Sequence, residues 1–472
     1  EEAYRYIHSL WTMIENRRTT VNGRIIVGGK GRKHPKEADV FLHIAMKVAK
    51  NCRYVEPQFT LRFDKETSEE IWDEALDALG AGATYPTLYN DDVNVPAVMY
   101  GMRVDEKTAE QYVPFGCTEF VIQGQSTGTP NICINLLKLL TIYMNDGIDP
   151  IDGKRKSGPV PLKKLEEYQT FEEFYDGYKA LLDYYLDLSV KAQYHSYEVM
   201  NQHVSFLFTS LLTDDCIARG KALLDGGVRY LGGTNETYGN INTSDSLWVI
   251  RDLVFNQKKY TLRQLNDAML ANFNGYEALR KDCLNCDKYG NDLETADTMA
   301  NDLYEFVAKG VRDRGIAIGM QYFLIVISNN QLNTEWGNRT AASPDGRLSC
   351  MYMNPANNPQ GGANKSGPTA MLNSLAKFDA KYHGGSVQNI KFSPSMFNEN
   401  RAVIKSLFKT YFAKGGCHLM VTVVDKGVLE DAVEHPENYP DLIVRVSGFS
   451  AVFVDLSPNI QQELLSRVLY DK

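Results

Sequence analysis

The sequence predicts an α/β protein built on a parallel sheet, and three observations carry that prediction. Segments of strand character alternate with segments of helical period along all 472 residues. Met320 to Ser328, MQYFLIVIS, is an uninterrupted apolar run of strand length, the pattern required of a parallel strand covered on both faces. Helices open on side chains able to cap them: Thr67 with Glu70, Thr170 with Glu173, and Thr261 with Gln264.

Taken in order, Glu1 to Asn16 predicts a helix with Ala3, Ile7, Leu10, Trp11 and Ile14 on one face. The chain starts with glutamate inside an element, which is the expectation for a piece lacking an N-terminal portion. The stretch from Thr20 to Lys30 predicts a short strand ending in a glycine turn, and Ala38 to Ala49 a helix. Gly28, Gly29 and Gly31 do not make a phosphate loop, since no Gly-Lys-Ser/Thr follows. Glu56 to Phe63 predicts a strand, and Asn90-Asp91-Asp92 a solvated turn.

Beyond a loop at Tyr112 to Phe120, Asn131 to about Asn145 predicts a helix apolar nearly all round, hence buried. A long helical region runs from Thr170 toward Leu212, and the glycine-rich approach at Gly226 gives way to a helix begun by Asp245 or Ser246. Thr340 to Ser349 and Gly361 to Ala370 are polar loops. Ser386 to Phe392 and His418 to Val424 predict buried strands, and Lys426 to Glu434 a helix. The apolar runs Leu442 to Val446 and Ala451 to Leu456 predict strands around a sharp turn, and Ser457 with Pro458 launches a closing helix.

Composition narrows the function. With 43% hydrophobic and 11% aromatic residues the chain can bury a large core. A net charge of -9, spread along the chain, offers no basic run for nucleic acid and no polybasic flank for a membrane. No apolar run approaches ~18 residues. The expectation is a cytoplasmic protein acting on a small molecule, with no nucleic-acid or membrane partner. Eight cysteines in this length are too sparse for a disulfide framework. Cys283 and Cys286 form one C-x-x-C with no second pair at zinc-finger spacing, and the eight histidines are scattered, so no bound metal is implied.

Two short strings stand out. Tyr112 to Phe120 reads YVPFGCTEF, with Cys117 and Glu119 two residues apart, and Arg445 to Ser450 reads RVSGFS around Gly448. Alone, Gly448 suits a tight turn needing positive φ. Glycine is also the one residue whose α-carbon can flatten to share an unpaired electron between its amide nitrogen and carbonyl, because no β-carbon clashes. A thiol S–H is comparable in strength to that C–H, so hydrogen can pass between the two. In an extended loop Glu119 would point to the same side as Cys117, where burial would suit it to general-base work.

Together the two strings resemble the signature of the glycyl radical enzymes, the superfamily that includes pyruvate formate-lyase and the anaerobic diol dehydratases. Further matching pieces fall in the family's order: Glu56-Pro57-Gln58, Tyr85-Pro86, Asp245-Ser246-Leu247, Ser343-Pro344-Asp345-Gly346-Arg347 and Gly367-Pro368-Thr369-Ala370. The resemblance implies a ten-stranded α/β barrel of two parallel half-barrels with surrounding helices, its N-terminal portion missing. Residues 1–425 would form the C-terminal part of a pyruvate formate-lyase-like barrel domain and residues 426–472 a glycine radical domain.

The resemblance also implies roles: Gly448 as the glycyl radical, a post-translational modification, Cys117 as thiyl relay and Glu119 as general base. A separate radical S-adenosylmethionine enzyme would install the radical. S-adenosylmethionine and the iron-sulfur cluster would belong to that activating partner and no metal to this chain. A homodimer at full length and an anaerobic bacterial setting are expected. Gly116 before Cys117 excludes the Cys-Cys doublet of pyruvate formate-lyase itself and points to the dehydratase and lyase branch. Thr118 and Phe120 replace the commoner Val and Pro. Asn131 stands where diol dehydratases tend to carry an Asp holding a substrate hydroxyl, and is the candidate substrate-binding residue.

Elimination of water from a small hydroxylated substrate is the expected reaction. C–N or C–S lyase chemistry of choline or isethionate type, formate acetyltransferase-like activity and arylacetate decarboxylation are the alternatives. Two readings of other classes stand beside them: an inactive structural remnant, and a hydrolase using Cys117 as nucleophile with a histidine such as His418.

Overall fold

The computed structural model describes residues 1–17, 23–128, 131–328 and 331–471. The chain forms two compact units, one of Glu1–Gln123 with Gly367–Lys472 and the other of Gly124–Ser366.

The first unit is built on a six-stranded sheet in the order Arg24–Gly28, Gln58–Phe63, Thr87–Asn90, His418–Val423, Asn389–Phe392, Leu469–Tyr470. The first three strands run parallel to one another, as do the last three. The two runs meet antiparallel, with His418 opposite Tyr89 and Leu419 opposite Leu88. The sheet is therefore mixed: the strands are parallel within each run, as expected, and the single parallel sheet read from the alternation becomes two parallel runs joined at one antiparallel seam. The chain between Thr87–Asn90 and His418–Val423 runs through the whole second unit, so no single strand–helix–strand crossover sets the direction of that pair. Every residue of Gln58–Phe63 is buried, as a strand covered on both faces requires.

Helices flank this sheet much as their sequences predict. Glu2–Asn16 and Pro35–Cys52 match the amphipathic segments, and Lys426–Glu434 lies where predicted. The part of the first strand read from Thr20 lies outside the described residues. The helix Glu69–Gly80 is capped by Ser68, whose hydroxyl accepts from Ile71 N, while Thr67 Oγ1 accepts from Asp64 N, so the expected Thr67 cap is displaced by one residue. Asn90-Asp91-Asp92 is not a solvated turn. Asn90 caps the helix Asp91–Met102, and Asp91 is fully buried against Arg62, with contacts of 2.9 and 2.7 Å.

The second unit carries three parallel strands, Ile132–Asn135, Gly232–Tyr238 and Tyr322–Ile327. Long helices at Phe171–His203 and Glu294–Ala317 pack with them. Tyr322–Ile327 fulfils the reading of the apolar run. Asn131 to Asn145 begins as a strand and becomes helical only at Leu136–Met144, capped by Asn135, which accepts from Lys138 N at 2.9 Å. Gly232–Tyr238, GGTNETY, was hidden by its composition: the rings of Tyr322 and Phe323 occupy the space where side chains at Gly232 and Gly233 would stand. The following helix starts at Asn240, ahead of Asp245. Among the described residues no helix is long and apolar enough to cross a membrane.

Candidate active site

Two antiparallel hairpins of the first unit present the residues singled out from sequence. One pairs Tyr112–Phe115 with Glu119–Ile122, leaving Gly116-Cys117-Thr118 at its tip. The other pairs Ile443–Arg445 with Ser450–Val452, leaving Val446 to Phe449 at its tip, closed by Val446 N donating to Phe449 O at 3.1 Å. The tips touch. A β-carbon built on Gly448 would lie 2.5 Å from Cys117 Cα, 2.7 Å from its Sγ and 2.8 Å from its Cβ. The sulfur is therefore no more than one C–C bond length farther than 2.7 Å from the Gly448 α-carbon, on the side where an α-hydrogen replaces a side chain.

This proximity explains the glycine. Gly448 is not among the positive-φ glycines, so turn conformation does not demand it; contact with Cys117 does. The cysteine tip is the strained one, with Gly116 at φ +50° and Thr118, a β-branched residue, at φ +91°. Thr118 N closes it onto Phe115 O at 3.0 Å. These conformations break the alternation expected of an extended loop. Glu119 instead opens the second strand, and its carboxylate lies against Gly116, 2.8 Å from where a β-carbon would stand. Cys117 is 6% exposed and Glu119 3%, while Gly448 is buried, so the junction is dry.

Sequence reasoning did not find what holds the tips. Arg24 donates to Gly116 O at 2.7 Å and also bonds Gln58. Arg445, among the largest fully buried side chains, donates to Gly448 O at 3.0 Å and to Ser450 Oγ at 3.2 Å, and lies 4.9 Å over the Tyr85 ring. Arg467 Nη2 donates to Val446 O at 2.7 Å while paired with Glu463. Gly385, at φ +143°, leaves no room for a β-carbon beside the Thr118 carbonyl and so lets the cysteine tip seat. Arg445 stood inside a quoted motif, and a glycine pair marked Gly385; Arg24 carried no local signal.

Electrostatics here are those of buried neutral groups around fixed cations. Burial raises the Tyr89 phenol, opposed by Arg24 and Arg445. Burial, then Arg445 and Arg24, drives His418 far below the usual histidine range, and burial alone takes His383 to about 4. His418 Nδ1 accepts from Gln388 N at 3.3 Å and its ring packs 4.5 Å from Tyr89. Cys417 Sγ lies 4.0 Å from His383 Nε2, and burial raises its pKa to about 12. A neutral thiol beside a neutral imidazole lacks the charge separation of a cysteine hydrolase.

Asn131 belongs to the second unit, where its Nδ2 donates to Glu236 Oε1 at 2.8 Å and its Oδ1 accepts from Thr234 Oγ1 at 2.5 Å. Cys283 and Cys286 have pKa values raised by burial to about 12 and about 11, and Cys286 Sγ donates to Asp282 O at 3.4 Å. Neither joins His43, Glu70 and Glu74, whose ligand atoms lie within 4.8 Å of one another.

A mixed α/β sheet with a thiol and a glycine meeting on two hairpin tips defines the glycyl radical class. The chain belongs to the pyruvate formate lyase-like family, which it matches over residues 1–332, and it matches the glycine radical domain over residues 353–454, a span that contains Gly448. It is 30% identical to trans-4-hydroxy-L-proline dehydratase of Clostridioides difficile, over 90% of this chain and 54% of that protein. It is 27% identical to (2S)-3-sulfopropanediol dehydratase of Klebsiella oxytoca, over 94% of this chain and 54% of the relative. The glycerol-bound B12-independent glycerol dehydratase of Clostridium butyricum superposes with a TM-score of 0.90 at 27% identity, over 99% of this chain and 61% of that one. The α/β barrel expected from the sequence is the fold of such structural neighbours. The chain thus spans about half to three fifths of the length of the proteins it resembles.

Proposed function

We propose that this chain carries the glycyl and thiyl radical pair of an anaerobic lyase that eliminates water from a small hydroxylated substrate. One observation supports this reading above the others: the sulfur of Cys117 in contact distance of the Gly448 α-carbon inside a dry junction.

In this reading the Gly448 radical takes the hydrogen of the Cys117 thiol, restoring a glycine C–H and leaving a thiyl. The thiyl takes a hydrogen atom from a substrate carbon bearing a hydroxyl. Glu119 accepts the proton of that hydroxyl, the C–O bond of the neighbouring carbon breaks, and the leaving hydroxyl departs as water with the proton that Glu119 gives back. The product radical then recovers hydrogen from Cys117, and the thiyl returns to Gly448. Water must stay out while radicals persist. The dehydratase names of the relatives support water as the leaving group, with hydroxyproline and small diols as the substrates to test first. A radical S-adenosylmethionine activating enzyme is the partner that installs the radical, residues 426–472 form the part that presents Gly448, and the full-length protein is a cytoplasmic homodimer.

Anaerobic activation followed by electron spin resonance tests the reading. A glycyl doublet is expected in the parent and in Cys117→Ser, and none in Gly448→Ala. Cys117→Ser should abolish turnover of every substrate. Turnover surviving in Cys117→Ser, or a doublet surviving in Gly448→Ala, overturns it.

A further inference from the structure

Inside the second unit, lined by none of the residues of the proposed reaction, is a cavity of about 370 Å³, a volume suited to a small molecule. Its charged lining is Arg280, Lys288, Arg347, Lys365, Asp245 and Asp345, four cations against two carboxylates. Leu284, Leu348 and Met351 add apolar surface to the lining.

The cations are not consumed by the acids. Lys288 is buried and spends its ammonium on two carbonyls, Cys283 O at 2.6 Å and Cys286 O at 3.1 Å. Arg347, also buried, gives both terminal nitrogens to main-chain carbonyls, and its Nε has no partner. Arg280 Nε donates to Gly346 O at 2.9 Å. Asp345 is satisfied by Ser343, Asn242 and the Arg347 amide. Asp245 is 1% exposed; one oxygen accepts from Tyr289 N at 2.9 Å and the other has no partner. Asp245 Oδ2 and Arg347 Nε are both sealed within the protein without a partner, so neither is available to a ligand, and the accessible charge falls to Arg280 and Lys365.

We infer that this cavity is a second binding site, for a small oxyanion of carboxylate or sulfate-like chemistry. The anion would meet Arg280 and Lys365, and Leu284 and Met351 would take a short carbon skeleton. The groups facing Asp245 are Lys288, Asp345 and Asp297, the last on the helix Glu294–Ala317, together with Tyr289. Burial raises Asp245 to about 7 against the pull of Lys288 and the Tyr289 amide, with Asp345 and Asp297 adding to it. Its carboxyl therefore gains a proton as pH falls through neutrality and ceases to repel an anion.

Isothermal titration of the whole chain with sulfate and, separately, with lactate is the test, read at pH 6 and pH 8, where neither probe changes charge. Saturable binding of one equivalent of either probe is expected, several-fold tighter at pH 6, and weakened at least tenfold in Arg280→Gln and in Lys365→Gln. Neither substitution removes a fully buried group, and unchanged unfolding midpoints without anion verify their folding. Binding of sulfate alone assigns a tetrahedral oxyanion, and binding of lactate alone a carboxylate. Absence of saturable binding by both, or binding indifferent to both substitutions, overturns the inference. No outcome depends on the radical, so the site stands or falls separately from the proposed reaction.

Discussion

Replacing Gly448 by alanine tests the central geometry without any chemistry. The added methyl would meet Cys117 Cα at 2.5 Å, Sγ at 2.7 Å and Cβ at 2.8 Å. Carbon atoms in good contact stand about 3.5–4.0 Å apart, so the methyl intrudes by about 1 Å on a backbone atom that cannot rotate away. Neither tip can retreat freely. The glycine tip is held by Arg445 on Gly448 O and Arg467 on Val446 O, and the cysteine tip by Arg24 on Gly116 O and by Gly385 beneath Thr118. Overpacking of a buried junction costs about 1–3 kcal/mol.

The assay is anaerobic denaturant unfolding of Gly448→Ala, Cys117→Gly and the double variant. The single alanine should lose about 1–3 kcal/mol. Cys117→Gly removes two of the three clashing atoms and should recover part of that loss, a non-additive pair of the kind found only between residues in contact. If Gly448→Ala is as stable as the parent, or the two substitutions simply add, the tips do not touch as described and the proposed hydrogen transfer loses its geometry.

Three further outcomes follow. Gly385→Ala should destabilise the chain and abolish turnover, because its β-carbon enters the Thr118 carbonyl at a φ of +143°; unfolding midpoints and substrate assays read both effects. Asp91→Ala leaves the Arg62 guanidinium buried without its carboxylate and should lose about 3–5 kcal/mol in urea unfolding. Asp245 titrates at about 7 when folded and at about 3.9 when unfolded, so the folded state holds the extra proton between those values. The stability it contributes is therefore full below about pH 4 and lost as pH rises to about 7. Asp245→Asn, keeping the acceptor for Tyr289 N, should gain on the parent at pH 8 relative to pH 4, measured by unfolding at both.

What the sequence disclosed is what local chemistry determines. The apolar run Tyr322–Ile327 could only be a strand buried on both faces, and Thr170 and Thr261 accept the N3 amides their spacing promised. Cys117 and Gly448 were legible because two rare strings occur in one order. Features set by partners far along the chain were not legible. Gly232–Tyr238 reads as a loop until the rings that cover its glycines are known, and Asp91 reads as a solvated acid until Arg62 arrives from another strand. The antiparallel seam between Thr87–Asn90 and His418–Val423 depends on the chain's return, which no period in either segment encodes.

The choice of hairpin tips for both groups has a physical reason. A residue within a strand has its α-carbon shielded by neighbouring strands about 4.8 Å away, and one within a helix by the next turn, so neither could bring a backbone carbon into contact with a sulfur. At a tip the α-carbon is the outermost atom. The difficulty is that tips are mobile, and here charge answers it: Arg24, Arg445 and Arg467 each grip a tip carbonyl. Bonds from a charged donor are about twice as strong as neutral ones. Arg445 does more than anchor, since its bond falls on the carbonyl of Gly448, one of the two groups over which an α-carbon radical there would spread. Arg445→Met should therefore change the hyperfine pattern or lifetime of the glycyl doublet while Cys117→Ser leaves both intact; a doublet identical to the parent's in Arg445→Met would reduce that arginine to an anchor.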